Sequence, residues 1–88
     1  MFHKVREVKP LDNFKLQVCF EDMTIKIYDI TPLFLKWQVF NSLQADKELF
    51  VSVKVDAGGY GISWNDDIDL SCNELWENGV LANYKSVS

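Results

Sequence analysis

Hydrophobic and polar side chains alternate along much of the first third of the chain, a pattern typical of strands with one buried face. Residues 14–20 alternate without interruption, and residues 24–28 resume the alternation. The short polar segment between them suits a hairpin turn. Residues 3–9 predict a further strand, in which the different parity of Val5 and Val8 requires a bulge or an irregular edge strand.

The period changes to that of short helices after these strands. Thr31 and Pro32 predict a helix start, with Thr31 as the N-cap and proline at the first helical position. The apolar residues of segment 39–43 lie on one side of a second short helix. Asp46 predicts the cap of a further turn, which ends near Phe50.

Strand character returns in residues 51–56, where valine alternates with polar residues. Gly58 and Gly59 follow, and glycine accepts the positive φ of a tight turn without steric cost. Residues 60–64 then predict the partner strand. We expect this hairpin to be the strongest of the chain.

The last predicted element is a helix over residues 72–78. Ser71 and Glu74 have the spacing of a capping box, and Gly79 stands where a helix often ends in a left-handed residue. A helix this short needs packing to hold. We therefore expect its apolar side, which includes Trp76, to dock on the sheet.

Together these elements predict an α+β fold. It consists of an antiparallel sheet of about five strands with two or three short helices, in the order β-β-β-α-β-β-α. Residues 1–79 form one domain in this prediction, and residues 80–88 form a C-terminal tail or a weak extra strand. The 88 residues are 48% hydrophobic and 14% aromatic, which suits one small core and argues against a disordered segment.

The charge balance narrows the classes of partner. The net charge is −4, and Arg6 is the one arginine, which argues against direct nucleic-acid binding because that needs a basic surface. Five acidic residues and no basic residue lie between positions 66 and 77, so this end should project a negative field. They are Asp66, Asp67, Asp69, Glu74 and Glu77.

Two absences point to a compartment. The N-terminal sequence lacks the apolar run of a signal peptide, and no segment approaches the roughly 20 apolar residues of a membrane-spanning helix. Cys19 and Cys72 lie far apart and form neither a Cys-x-x-Cys nor a zinc-binding pattern. A single disulfide between them would be an unusual staple for a secreted domain. We therefore expect reduced thiols in a cytoplasmic protein with no membrane partner.

Several short motifs follow one another along the chain in a distinctive order. They are Tyr28-Asp29-Ile30-Thr31-Pro32-Leu33, Leu49-Phe50, Val55-Asp56, Ile62-Ser63-Trp64, Asp69-Leu70 and Leu75-Trp76. In order and spacing, residues 3–79 resemble a family of small bacterial proteins called domain of unknown function 2442. The chain departs from the commoner family pattern at Met23, where glycine is frequent, and at Asp66-Asp67, where a Pro-Asn-Gly turn is usual.

The resemblance implies an antiparallel α+β fold with no established enzymatic activity. Family members often lie beside genes for small toxin-like proteins, which implies an antitoxin-like role for this chain. Some relatives carry an added helix-turn-helix domain. This chain has no room for one, so the resemblance implies no direct binding to DNA.

Metal binding is the first chemistry that the sequence suggests. Asn65, Asp67 and Asp69 occupy alternate positions, as at the start of a calcium-binding loop. An EF-hand loop also needs glycine at its sixth position and glutamate at its twelfth, where this chain has leucine and tryptophan. We therefore expect a solvated loop, in which Ile68 and Leu70 point inward, and no metal site.

Catalytic chemistry is not expected either. Cys19 has no local activating partner, His3 lies near the terminus, and the acids around Cys72 oppose activation of its thiol. The carboxylate pairs of the acidic segment should stay in water, whereas general acid–base catalysis needs a desolvated group. The sequence therefore predicts no catalytic residue and no cofactor.

Trp37 lies between Lys36 and Gln38 at a predicted helix exit, where an exposed tryptophan would anchor an interface. With the acidic segment it defines the predicted partner-binding residues: Trp37, Asp66, Asp67, Asp69, Glu74 and Glu77. The leading hypothesis is a non-enzymatic interaction module, an antitoxin-like partner of a small basic toxin protein. One alternative is a small-ligand-binding domain with a shallow aromatic pocket near Tyr60 and Trp64, and an enzyme is a third. The sequence is compatible with a homo-oligomer.

Overall fold

The computed structural model describes residues 2–82, which contain seven strands in two antiparallel sheets. The strands are β1 (Val5–Leu11), β2 (Lys15–Phe20), β3 (Ile25–Asp29), β4 (Lys54–Val55), β5 (Gly61–Asn65), β6 (Ile68–Ser71) and β7 (Val80–Leu81). One sheet has the order β1-β2-β3-β7, and the other has the order β4-β5-β6. The predicted α+β class is confirmed, but the strands divide between two sheets where we expected one.

Four short helices complete the described part of the chain. They are α1 (Thr31–Lys36), α2 (Asn41–Ala45), α3 (Lys47–Val51) and α4 (Cys72–Asn78). Single 3₁₀ turns at Asp12–Phe14, Gln38–Phe40 and Ala57–Gly59 form connections between elements. Within residues 2–82, no helix combines the length and the apolar content that crossing a bilayer requires.

The first hairpin forms as predicted, with Leu16 of β2 opposite Tyr28 of β3. Its turn holds Met23 at φ 75°, in the left-handed region that costs a residue other than glycine about 1–2 kcal/mol. β1 pairs with β2, and the register shifts between Val5 and Glu7. This shift confirms the predicted irregularity of the first strand.

The start of α1 differs from the prediction. Ile30, not Thr31, is the N-cap residue, and Thr31 is already helical. The Asp29 carboxylate takes over the capping role, because its Oδ1 accepts hydrogen bonds from the backbone N–H of Thr31 at 3.0 Å and from the Thr31 hydroxyl at 2.8 Å. A short acidic side chain at the end of β3 therefore turns the chain into the helix.

The predicted strand over 51–56 is wrong in its first half. Asp46 caps α3 as predicted, since its side chain accepts from the backbone N–H groups of Glu48 and Leu49. The helix then runs to Val51 and buries Phe50. Only the last part of the predicted strand remains, as β4, and it pairs with β5 in the predicted hairpin.

Two glycines show what local sequence does and does not decide. Gly59 has φ 80°, as predicted for the turn, and a Cβ there would lie 2.7 Å from the Val5 carbonyl oxygen. Gly79 was expected to be left-handed, but it is extended, with φ −77° and ψ 154°. Glycine is required at position 79 for lack of space, because a Cβ would lie 2.5 Å from the Leu75 carbonyl oxygen. The chain thus passes directly from α4 into β7.

Helix α4 has the predicted limits and docks as expected. The Ser71 hydroxyl accepts from the Glu74 backbone N–H at 3.1 Å, which confirms the cap, and Leu75 is fully buried. Trp76 is half-buried. Its ring lies parallel to the His3 ring at 3.5 Å between centroids and meets the Phe20 ring edge-on at 4.9 Å.

The C-terminal prediction is settled in part. Val80 and Leu81 form β7, the weak extra strand that was one of the two expectations, and β7 pairs with β3. Residues 83–88 lie outside the described residues. Cys19 and Cys72 are both buried, and both are free thiols.

Candidate partner-binding groove

Trp37 is held in place by its backbone while its side chain remains accessible. The residue leaves α1 in an extended conformation, and its N–H donates to the Leu33 carbonyl at 2.9 Å. The side chain is 48% exposed. The Trp37 ring contacts the Phe40 ring at 6.2 Å between centroids. The Lys36 ammonium lies 4.9 Å from the centroid of the Trp37 ring. A fixed and accessible tryptophan of this kind is what an interface anchor requires.

Phe40 connects this tryptophan to the core. Its side chain is buried and meets the Trp64 ring edge-on at 6.3 Å. Trp64 is itself 5% exposed, and its Nε1–H donates to the Phe50 carbonyl at 2.9 Å. The position of Trp37 is therefore supported by packed aromatic residues.

The burial of Trp64 leaves little of its ring accessible to a ligand in the predicted aromatic pocket. Tyr60 is exposed and makes an edge-on contact with Phe2 at 5.5 Å between centroids. Trp64 lies within β5 and is 5% exposed, whereas Tyr60 precedes that strand. The predicted strand 60–64 would place both side chains on one face, but β5 begins only at Gly61, after Tyr60.

The acidic segment is more ordered than expected. We predicted a solvated loop, but residues 68–71 form β6, an outer strand of the second sheet. Asn65 makes the preceding turn, since its Oδ1 accepts from the backbone N–H groups of Asp67 at 2.9 Å and Ile68 at 3.0 Å. Ile68 and Leu70 point into the core as predicted, and Asp67 and Asp69 are exposed.

A groove brings the tryptophan and the acidic residues together. Its volume is about 390 Å³. One wall consists of Trp37, Val39 and Phe40, and the opposite wall consists of Asp67, Asp69, Leu70, Ser71 and Glu74. Four of the six predicted partner-binding residues therefore line one groove, although about 30 positions separate the two walls in sequence.

The other two predicted residues lie beside this groove. Asp66 is exposed in the turn before β6. Glu77 lines a neighbouring hollow with Asn73, and that hollow shares Ser71 and Glu74 with the groove. We call these five acidic residues in and beside the groove the acidic end (Asp66, Asp67, Asp69, Glu74 and Glu77).

Glu74 is the most tightly fixed carboxylate of the acidic end. Its Oε2 accepts from the Tyr28 hydroxyl at 2.7 Å and from the Asn78 side-chain amide at 3.0 Å. Burial, and then the hydrogen bond to Glu74, raise the pKa of Tyr28 well above its ordinary value of 10.0. Tyr28 therefore stays a neutral donor across the physiological range and holds Glu74 at the end of the groove.

The side chains considered for nucleophilic catalysis, His3, Cys19 and Cys72, are not among the residues that line the groove. Cys19 and Cys72 are buried, and the His3 ring is stacked on Trp76. Within residues 2–82, no three histidine, cysteine, aspartate or glutamate side chains group closely enough to hold a metal ion.

Sequence reasoning missed a second groove, with a volume of about 460 Å³, between the turn 12–14 and α3. Asn13 and Phe14 both have positive φ there, at 63° and 58°. Edge-on packing of Phe14 against Phe34 and Phe50, at 5.3 Å in each case, holds this unfavourable backbone. The strain is thus matched by aromatic packing, and the groove carries neither an exposed tryptophan nor a charge cluster.

Comparison with known proteins agrees with the resemblance. The sequence model of a family described as protein of unknown function (DUF2442) matches residues 5–80. This range includes every helix and strand described above except the last residue of β7, and it includes both walls of the groove. No curated protein and no solved structure matches the chain.

Proposed function

The chain belongs to the DUF2442 family, whose function is not known, and we propose that it is a non-enzymatic interaction module for a small basic protein. The proposed biological setting is that of a cytoplasmic antitoxin and its toxin. The acidic groove beside Trp37 is the binding site in this proposal. A role in catalysis is not part of it, because the carboxylates of the groove are largely exposed to water and general acid–base chemistry needs a desolvated group.

The observation that carries the proposal is the meeting of Trp37 with Asp67 and Asp69 across one groove. A tryptophan buries a large apolar area on binding, and tryptophan is enriched among residues that dominate interface energies. Carboxylates at the rim add selectivity and faster association with a basic partner, more than they add affinity. The groove therefore combines an apolar anchor residue with carboxylates that select a basic partner.

The charge distribution favours a basic partner over other proteins. The chain carries a net charge of −4, and the acidic end contains five of its carboxylates with no lysine or arginine between positions 66 and 77. A toxin as the partner is supported by the gene neighbourhoods that the family resemblance implies.

The proposal is tested by producing the chain together with the protein encoded by the adjacent gene. Size-exclusion chromatography should show a complex, and calorimetry should give its dissociation constant. Trp37→Ala should weaken binding by about tenfold to a hundredfold, the usual range for a truncated anchor.

Tyr60→Ala supplies the matched control. Tyr60 is 49% exposed against 48% for Trp37, but it lies outside the groove. We expect this variant to bind within about twofold of the wild type, as for a residue outside an interface. Equal losses in the two variants, or an unchanged constant in Trp37→Ala, would place the interface elsewhere.

A further inference from the structure

Strand β6 has one hydrogen-bonded neighbour, β5, in the part of the chain that the structure describes. Among the described residues, no strand pairs with the other edge of β6, so a strand from a partner could pair there. Edge strands are the usual targets of an added strand from a partner, because their outer N–H and C=O groups lack a ladder.

The register of the sheet identifies the backbone groups on this outer edge. The Cys72 N–H donates to the Tyr60 carbonyl at 2.8 Å, so this opposed pair is hydrogen-bonded. Bonded and non-bonded pairs alternate along an antiparallel ladder. Leu70 therefore bonds to Ile62, and Asp69 directs its N–H and C=O away from β5.

The groove lies along this edge. Leu70 points into the core and Asp69 points to solvent, yet both line the groove. Two neighbouring residues whose side chains lie on opposite faces of a strand both line a cavity when it runs past the open edge of that strand. Trp37 and Asp69 line this one groove together.

We propose that the groove takes an extended, basic segment of the partner as an added strand beside β6. This inference rests on the proposed function and specifies how the partner binds. A residue opposite Asp69 would place its side chain on the solvent face, where a lysine or arginine meets the carboxylates of Asp67 and Asp69. A residue opposite Leu70 would face Phe40 and Trp37, where an apolar side chain fits. The segment recognised is therefore basic–apolar–basic in alternation.

Charge argues against a second copy of this chain as the added strand. Pairing two β6 edges would bring Asp67 and Asp69 of each copy close to those of the other, and like charges on adjacent strands destabilise pairing. Exposed charges of this kind protect an edge from self-association. A basic strand from another protein does not meet this barrier.

The test uses a probe peptide, acetyl-Thr-Lys-Val-Arg-Val-Lys-Thr-amide, titrated into isotope-labelled protein and followed by nuclear magnetic resonance. The control peptide has the same composition without alternation, acetyl-Thr-Val-Val-Lys-Arg-Lys-Thr-amide. We expect the amide signals of Asp69 and Ser71 to shift and their hydrogen exchange to slow. The control peptide should bind about fivefold more weakly or worse, because it cannot place both charges and apolar groups in register.

Two changes isolate the main-chain hydrogen bonds from charge. Asp69→Asn removes the carboxylate and keeps the N–H, whereas Asp69→Pro removes both. We expect proline to cost about fivefold in affinity beyond asparagine, the effect of one lost hydrogen bond. Methylating the backbone nitrogen of the probe arginine should cost a similar factor, and this peptide tests the wild-type protein even if Asp69→Pro fails to fold.

Three results would overturn the added strand. The first is binding that perturbs Trp37 but tolerates N-methylation and leaves the exchange of the Asp69 amide unchanged; this result would keep the groove and the proposed function. The second is no shift with millimolar probe. The third is concentration-dependent broadening at Asp69 without any peptide, since a second copy would then occupy the edge.

Discussion

Substitution by alanine should lower the free energy of unfolding at Trp76 but leave it nearly unchanged at Trp37. Trp76 is half-buried and touches three side chains, through a stacked contact with His3 at 3.5 Å, an edge contact with Phe20 at 4.9 Å and the Lys26 ammonium at 4.1 Å from its ring centroid. Trp37 is 48% exposed. One tryptophan should therefore stabilise the fold, and the other should serve binding.

The expected cost of Trp76→Ala follows from these contacts. Each aromatic pair contributes about 0.5–1.5 kcal/mol and a partly exposed cation over a ring about 0.5–1 kcal/mol. Truncating a fully buried tryptophan costs about 3–5 kcal/mol. Since Trp76 retains some exposure, we expect a loss of about 2–3 kcal/mol in the free energy of unfolding. For a domain of this size that loss lowers the melting temperature by about 10–20 °C.

Urea unfolding followed by circular dichroism measures this change without depending on tryptophan emission. The dependence on urea concentration should keep its slope, because the surface exposed on unfolding changes little. Trp37→Ala is the matched control and should stay within about 1 kcal/mol of the wild type, as surface substitutions do. An unchanged Trp76→Ala, or a Trp37→Ala that is equally destabilised, would refute the division between a structural and a binding tryptophan.

Three further outcomes are expected. Met23→Gly should raise the free energy of unfolding by about 0.5 kcal/mol in urea titrations, because relief of the positive φ exceeds the added chain entropy of glycine; a gain of the same size in Met23→Ala would contradict this reason. Tyr28 has a raised pKa in the folded chain, so above about pH 10 the unfolded state releases a proton that the folded state keeps, and stability falls as pH rises. Tyr28→Phe should show a shallower fall in unfolding experiments from pH 9 to 11, and an unchanged slope would show that Tyr28 is not responsible. Calorimetry with calcium and with zinc should give no saturable heat, and a 1:1 isotherm lost in Asp67→Asn would contradict the expectation that the Asn65–Asp69 segment holds no metal.

The elements with complete local signals were the ones that sequence reasoning placed well. Helix α4 has a cap at Ser71 and apolar residues in its second turn, and its limits were predicted as the structure has them. The prediction of a strand over residues 51–56 was wrong in its first half, because the alternation of valines there is equally compatible with a helix end followed by a strand. The Asp46 cap and the burial of Phe50 favour the helix over the strand up to Val51.

No local sequence pattern predicted that the two walls of the groove lie close together. Trp37 and the acidic residues were identified separately, one from its polar neighbours and the others from an uninterrupted run of acids. Their meeting depends on β6, and β6 exists because the Asn65 side chain makes a turn that has no glycine or proline. Contacts between segments so far apart in sequence are set by packing of the whole core rather than by local pattern.

Association kinetics with the protein encoded by the adjacent gene test the central claim most directly. The variant Asp66→Asn, Asp67→Asn, Glu77→Gln removes three charges from the acidic end and leaves Asp69 and Glu74 in place, since Asp69 belongs to the β6 edge and Glu74 is bonded to Tyr28. Its matched control, Glu7→Gln, Asp12→Asn, Glu21→Gln, removes three exposed charges elsewhere and gives the same net charge. Because both variants have the same net charge, a difference between their stopped-flow association rates reports the position of the removed charges. Rates at two salt concentrations then show whether that difference is electrostatic, because exposed charges are screened over about 10 Å at 0.1 M salt.

We expect the first variant to associate more slowly than the control at low salt, with a weaker dependence on salt and a nearly unchanged dissociation rate. Equal association rates and equal salt dependence in the two variants would contradict the claim that the acidic end receives a basic partner.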